Sequence, residues 1–311
     1  MEKEFIVSIY FNLYKTFLTV VERTEDKFIL HYLNSTTANI DLKDISSSQS
    51  LESITELFSM LSEYFDKIKF LNIVLSPEYV HNTIFPGDIN NISDDVYELL
   101  NLEIANAFED KKIDDFKINL TSIFSPTTMT NEMLLANLLP KTIEDSINQM
   151  FNDYGIFINE IYFNSSALVN TFLFNYPEKT NENSAIICFH KDVLEILLIA
   201  QSRLIAYEFV VRDDETIDQI VEKKLQEMFF NSKIANAENL FICGTELSKD
   251  VFVKCWEIGA LLSADTRRLN PFRMFTTELE ERDKEYCSRV FHLFTSCIGG
   301  SLPFYLKNEN V

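Results

Sequence analysis

Phe5-Ile6-Val7-Ser8-Ile9-Tyr10 is followed by two further apolar runs, Lys15 to Val21 and Phe28 to Leu33, and this opening decides the fold. The first gap is a four-residue connection and the second is the polar Glu22–Lys27 turn. Runs rich in β-branched and aromatic residues at such short spacing predict three strands in an antiparallel meander. Beyond them Leu51, Ile54, Leu57, Phe58, Leu61 and Phe65 recur at helical spacing, with Ser50 available as the N-cap. Phe70 to Leu75 adds a fourth strand, so the order is βββαβ.

The same order returns from Ser184. Ala185–Phe189, Leu194–Ile199 and Leu204–Val211 read as strands, and Ile217, Ile220, Val221, Leu225, Met228 and Phe229 mark an amphipathic helix. Asn239–Cys243 closes the set. An offset of about 180 residues is too long for a solenoid repeat and predicts a duplicated domain.

Between the copies, residues 91–163 read as a small α+β unit. A helix carries Val96, Leu99, Leu100, Ile104 and Phe108 behind a Ser93 cap, and strands are expected at Phe116–Ile123 and Met133–Leu139. A second helix through Ile143, Ile147, Met150 and Phe151 stops at Gly155, and Phe157–Tyr162 is a closing strand. The helix Ser166–Phe174 and the polar linker Asn175–Asn183 lead into the second copy. The expected division is therefore 1–90 with 164–182, an insert at 91–163, and 183–311.

A chain of 311 residues with 46% hydrophobic content can bury the cores of two domains. The net charge of −21 repels nucleic-acid phosphate and anionic lipid headgroups, so neither is an expected partner. The longest apolar run, Val193 to Ala200, is interrupted by Glu195 and falls short of the ~20 residues that cross a bilayer. Five cysteines without paired spacing fit reduced thiols, not disulfides or a zinc site. The four histidines, at 31, 81, 190 and 292, likewise have no ligand spacing, so no metal is expected. A cytoplasmic location follows.

The layout resembles the actin-like ATPase superfamily, whose ribonuclease H-like halves carry a subdomain inserted in the first, and in particular its type IV pilus assembly (PilM) and cell-division (FtsA) branches. Leu71-Asn72-Ile73-Val74-Leu75-Ser76-Pro77 with Phe85-Pro86 resembles the family's approach to that insert. Asn270-Pro271-Phe272 after Arg267-Arg268-Leu269 matches a recurrent late motif, and Ile298-Gly299-Gly300 lies where the family has a glycine-containing last helix.

The resemblance implies a nucleotide site at which each half opens with Asp-x-Gly. The carboxylate holds a metal's water shell, and the glycine lets backbone N–H groups reach phosphate. Here those positions are Ser8 and Tyr10 in the first half, Cys188 and His190 in the second. Glycine is scarce throughout: six in the chain against roughly 22 at average usage. None lies before Gly87 or between Gly155 and Gly244. Four departures predict that hydrolysis is lost and that neither ATP nor magnesium is a cofactor. Lys15 and Gly244 are the positions left to contact a nucleotide; the plainer reading makes them a solvated strand end and a strand-to-helix turn.

With chemistry removed, the resemblance implies a non-catalytic adaptor of a type IV pilus or type II secretion-like assembly. It would hold the short cytoplasmic tail of a bitopic inner-membrane protein and reach the membrane only through that partner. A tail of this kind adds to a strand edge, and Met133–Leu139 is the expected edge. The alternative is a divergent ATP-binding protein or sugar-kinase-like phosphotransferase of the same fold.

Overall fold

The first three strands are β1 (Glu4–Phe11), β2 (Thr16–Arg23) and β3 (Phe28–Ser35), and α1 (Ser48–Leu61) leads from them to β4 (Ile68–Leu75). The computed structural model describes residues 4–25, 27–92, 94–125, 130–212, 217–305 and 308–310. The Ser93 cap lies outside them. After β4 come β5 (His81–Pro86), α2 (Asp94–Ala107), β6 (Phe116–Ser125), β7 (Thr130–Pro140), α3 (Lys141–Asn152), β8 (Ile158–Phe163) and α4 (Asn164–Asn175). The next series comprises β9 (Ser184–Phe189), β10 (Val193–Ala200), β11 (Arg203–Val211), α5 (Ile217–Ser232), β12 (Asn239–Gly244), α6 (Lys249–Leu262) and β13 (Asp265–Arg268). The chain closes with β14 (Thr276–Thr277), α7 (Glu281–Val290), α8 (Thr295–Gly299) and β15 (Asn308–Asn310).

Two of the three sheets among the described residues share one topology. The first runs β14-β3-β2-β1-β4-β8 and the second β11-β10-β9-β12-β13. In each, the opening three strands are antiparallel neighbours, and the first also pairs in parallel with the fourth. A last parallel strand, β8 or β13, completes each sheet. The central strands β1 and β9 are buried on both faces because helices cover both faces.

Alternation along β1 explains the layers. Val7, Ile9 and Phe11 face a core made with Ile54, Leu57 and Phe58 of α1 and Ile143, Ile147 and Phe151 of α3. Tyr10 turns the other way, onto Phe294, Cys297 and Ile298 around α8. In the second sheet Ile187 and Phe189 face α5 and α6, while Ile186 and Cys188 face Leu168, Val169 and Phe172 of α4. Helices α4 and α8 therefore lie between the two sheets.

Several boundaries differ from the sequence expectation. The N-cap of α1 is Ser47, whose hydroxyl accepts from the Ser50 N–H; Ser50 lies inside the helix. The third sheet, β15-β6-β7-β5, takes β5 from before the expected insert. In turn β8 and α3 leave it: β8 pairs with β4, and the apolar side of α3 joins the first core. Residues after 275 return to the first half, where β14 pairs with β3 and α8 packs on α4. Strand β7, containing Met133–Leu139, sits between β6 and β5 and is no edge; β5 and β15 are the edges among the described residues. No helix of the described residues is long and apolar enough to cross a membrane.

Candidate functional site

Strand β1 ends beside the end of β9, and this brings three of the four phosphate-loop positions together. The Tyr10 hydroxyl meets His190 Nδ1 at 3.2 Å, a bond between the two halves. His190 Nε2 lies 2.9 Å from Glu195 Oε2, and Tyr207 donates to Glu195 Oε1 at 2.7 Å. Asn164, the first residue of α4, sets its side-chain amide nitrogen 3.3 Å from His190 Nε2 and 3.9 Å from Cys188 Sγ. The same nitrogen donates to Glu195 Oε2.

Hairpin register builds this cluster. Cys188 of β9 is the direct antiparallel partner of Glu195 on β10. Tyr207 of β11 is diagonal to Glu195, two residues along from Glu195's own partner Phe209. His190 follows β9 by one residue, two beyond Cys188, so the two side chains project from the same side of the strand. All of these side chains are buried, Tyr10, His190, Cys188 and Glu195 at 2% exposure or less.

Burial sets the electrostatics. Burial pushes the Cys188 thiol well up, with Cys243 adding to the effect. For His190, burial acts downward, but the Cys188 sulfur and the Glu195 carboxylate outweigh it and hold the imidazole well above its ordinary range. Burial raises the Tyr10 and Tyr207 phenols too. The nearby Glu78 carboxyl is raised by burial against the opposing influence of His190.

The remaining predicted positions stand apart. Ser8 is fully buried against the last helix: its carbonyl accepts from the Cys297 thiol, and a Cβ on Gly300 would come within 2.4 Å of its hydroxyl oxygen. Lys15 lays its ammonium over the Tyr14 ring at 5.7 Å. Gly244 has φ +110°, and a Cβ there would fall 2.2 Å from the Phe189 carbonyl oxygen. Its missing side chain serves the close approach of β12 to β9.

Glu195, Asn164, Tyr207 and Glu78 carry no assignment from the sequence. Glu195 did leave a signal, as the one charge in Val193–Ala200, a strand whose eight residues are all buried. The expectation of no metal-ligand spacing compared the histidines with one another, whereas the fold gathers Cys188, His190 and Glu195, one ligand atom from each lying within 4.8 Å of the others.

Comparison with protein-family models finds no match. Comparison with curated protein sequences finds none either. Solved structures do match, and they define the class: this is an α/β chain with the actin-like ATPase fold. It is similar to the structure described as "PilM-PilN type IV pilus biogenesis complex", with a TM-score of 0.71 at 9% identity, over 95% of this chain and 97% of that one. A Bacteroides thetaiotaomicron protein with an actin-like ATPase fold and unknown function matches with a TM-score of 0.54 at 14% identity, over 86% and 91%.

Proposed function

We propose that this chain is a non-catalytic actin-like adaptor that holds the short cytoplasmic tail of a bitopic membrane protein in a pilus or secretion-type envelope assembly. The observation that carries this reading is the Tyr10–His190 contact. Where the fold would bridge its halves through a phosphate chain and metal, a phenol near the end of β1 and an imidazole just past β9 bridge them directly. A triphosphate there would have to displace an aromatic ring, an imidazole and their hydrogen bonds. The likeness to the pilus complex supports the choice of machine.

A place for an extended tail supports the partner class. Edge strand β5 borders a groove of about 330 Å³ whose lining includes Ile84, Ile123, Met133, Ile205 and Met228. A tail added to β5 would bond through its backbone and set alternate side chains toward this groove, whose lining also includes the polar Ser125, Glu208 and Asn231. The protein would then stay at the cytoplasmic side of the membrane, attached through its partner.

The test is co-purification with membrane proteins encoded beside this gene, followed by titration of their cytoplasmic N-terminal peptides. Peptide binding that weakens in Ile84→Asp supports the adaptor; failure to associate with any envelope component overturns it. Mg-ATP supplies the opposing measurement. Binding at 100 times its Kd would stabilise the fold by roughly 2.7 kcal/mol, and such a thermal shift would favour the phosphotransferase reading.

A further inference from the structure

We propose that Cys188, His190 and Glu195 form a tetrahedral site for a zinc-class divalent ion, with the side-chain carbonyl of Asn164 as the fourth ligand. The three sulfur, nitrogen and oxygen atoms converge within 4.8 Å in a buried position. Thiolate, imidazole and carboxylate together suit a borderline-soft ion that accepts four ligands. They do not suit magnesium, which takes an octahedron of hard oxygens.

The outer atoms of the ligands supply a second, independent argument. A metal-binding histidine has its other ring nitrogen fixed by an outer partner, and a ligating carboxylate is itself hydrogen-bonded. Here Tyr10 holds His190 Nδ1 at 3.2 Å, and Tyr207 holds Glu195 Oε1 at 2.7 Å. Those contacts leave Nε2 and Oε2 turned inward, toward Cys188 and Asn164. Two tyrosines from different sheets thus orient the two ligands that need orienting.

Asn164 completes the set. Its amide stands against all three candidate ligands, while Oδ1, at the other end of the same amide, is buried without a hydrogen-bond partner. The oxygen and nitrogen of an amide occupy nearly the same shape, so a half-turn of the group presents the carbonyl to the ion. Charge also balances: a thiolate and a carboxylate neutralise a divalent ion, as a site sealed from water requires. Binding displaces two protons, that of the Cys188 thiol and that of His190 Nε2, and both leave to solvent.

The experiment uses the purified full chain. Metal content is measured first; the protein is then stripped with chelator and supplied with cobalt(II), both in the native state and during refolding from denaturant. About one cobalt per chain is expected, with a thiolate-to-metal charge-transfer band and tetrahedral d–d absorption, both abolished by zinc and untouched by magnesium. Cys188→Ser should lose the charge-transfer band, and Cys243→Ser should keep it. Tyr207→Phe should weaken zinc binding by about 10–100-fold. Absence of stoichiometric cobalt in both preparations, a bound cobalt without a thiolate band, or a band that survives Cys188→Ser overturns the site. Should Cys188→Ser not fold, X-ray absorption on the wild-type zinc or cobalt form decides: one sulfur with nitrogen and oxygen supports the proposal, and a shell without sulfur refutes it.

Discussion

Tyr10, the last residue but one of β1, and His190, the first residue past β9, stand 180 residues apart and hydrogen-bond to each other at 3.2 Å. The contact is buried, so its loss is not made good by water. Tyr10→Phe keeps the ring against Phe17 and leaves Nδ1 unpaired. The expected cost is about 1–3 kcal/mol, read as a lower urea midpoint. An unchanged midpoint would show that the bond contributes nothing to holding the halves together.

His292 gives the protein an acid-sensitive point outside that cluster. Burial, with Arg268 nearby, lowers its pKa to about 4, and its Nδ1 has no hydrogen-bond partner. The fold therefore favours the neutral ring, while the unfolded chain takes up its proton near the ordinary value of about 6.5. The stabilisation is fully present above about 6.5 and disappears as pH falls toward 4. His292→Leu should flatten the stability–pH curve across that window, as followed by thermal melts in matched buffers. A slope identical to wild type would rule out this assignment.

Gly299 lies where α8 packs close against α4. A Cβ there would lie 2.1 Å from the Ala167 carbonyl oxygen, and backbone cannot swing aside as a side chain can. Gly299→Ala should cost at least the ~1–3 kcal/mol typical of overpacking, measured by chemical denaturation. A variant as stable as wild type would mean that the two helices separate easily.

At α1, Ser47→Ala removes the acceptor for the Ser50 N–H. A loss of about 1 kcal/mol is expected from equilibrium unfolding. If Ser47→Ala is neutral, the cap is dispensable.

Local pattern was enough to find β1–β4 and β9–β12, because each is a short apolar run bounded by polar turns; the short polar strands β13 and β14 left no such run. It did not place the α1 cap, since Ser46, Ser47, Ser48 and Ser50 are chemically alike and only backbone geometry selects Ser47. Strand β5 was read as an approach to the insert because His81-Asn82-Thr83-Ile84-Phe85-Pro86 lacks a clean alternation. Its partner, β7, lies some fifty residues on. The same limit governed the site. Tyr10, Cys188 and His190 were singled out one by one, yet their company with Glu195 and Asn164 depends on hairpin register and on the meeting of two sheets, which no local window contains.

The return of β14 and α8 to the first half has a consequence for biosynthesis. Tyr10, Phe17, Val21 and Leu33 share a core with Leu279, Phe294, Ile298 and Leu302. A nascent chain emerging from the ribosome can therefore complete its second sheet before its first, although the first is translated earlier. Until the final segment is released, that inner apolar face stays uncovered, an opening for chaperones and a hazard for aggregation.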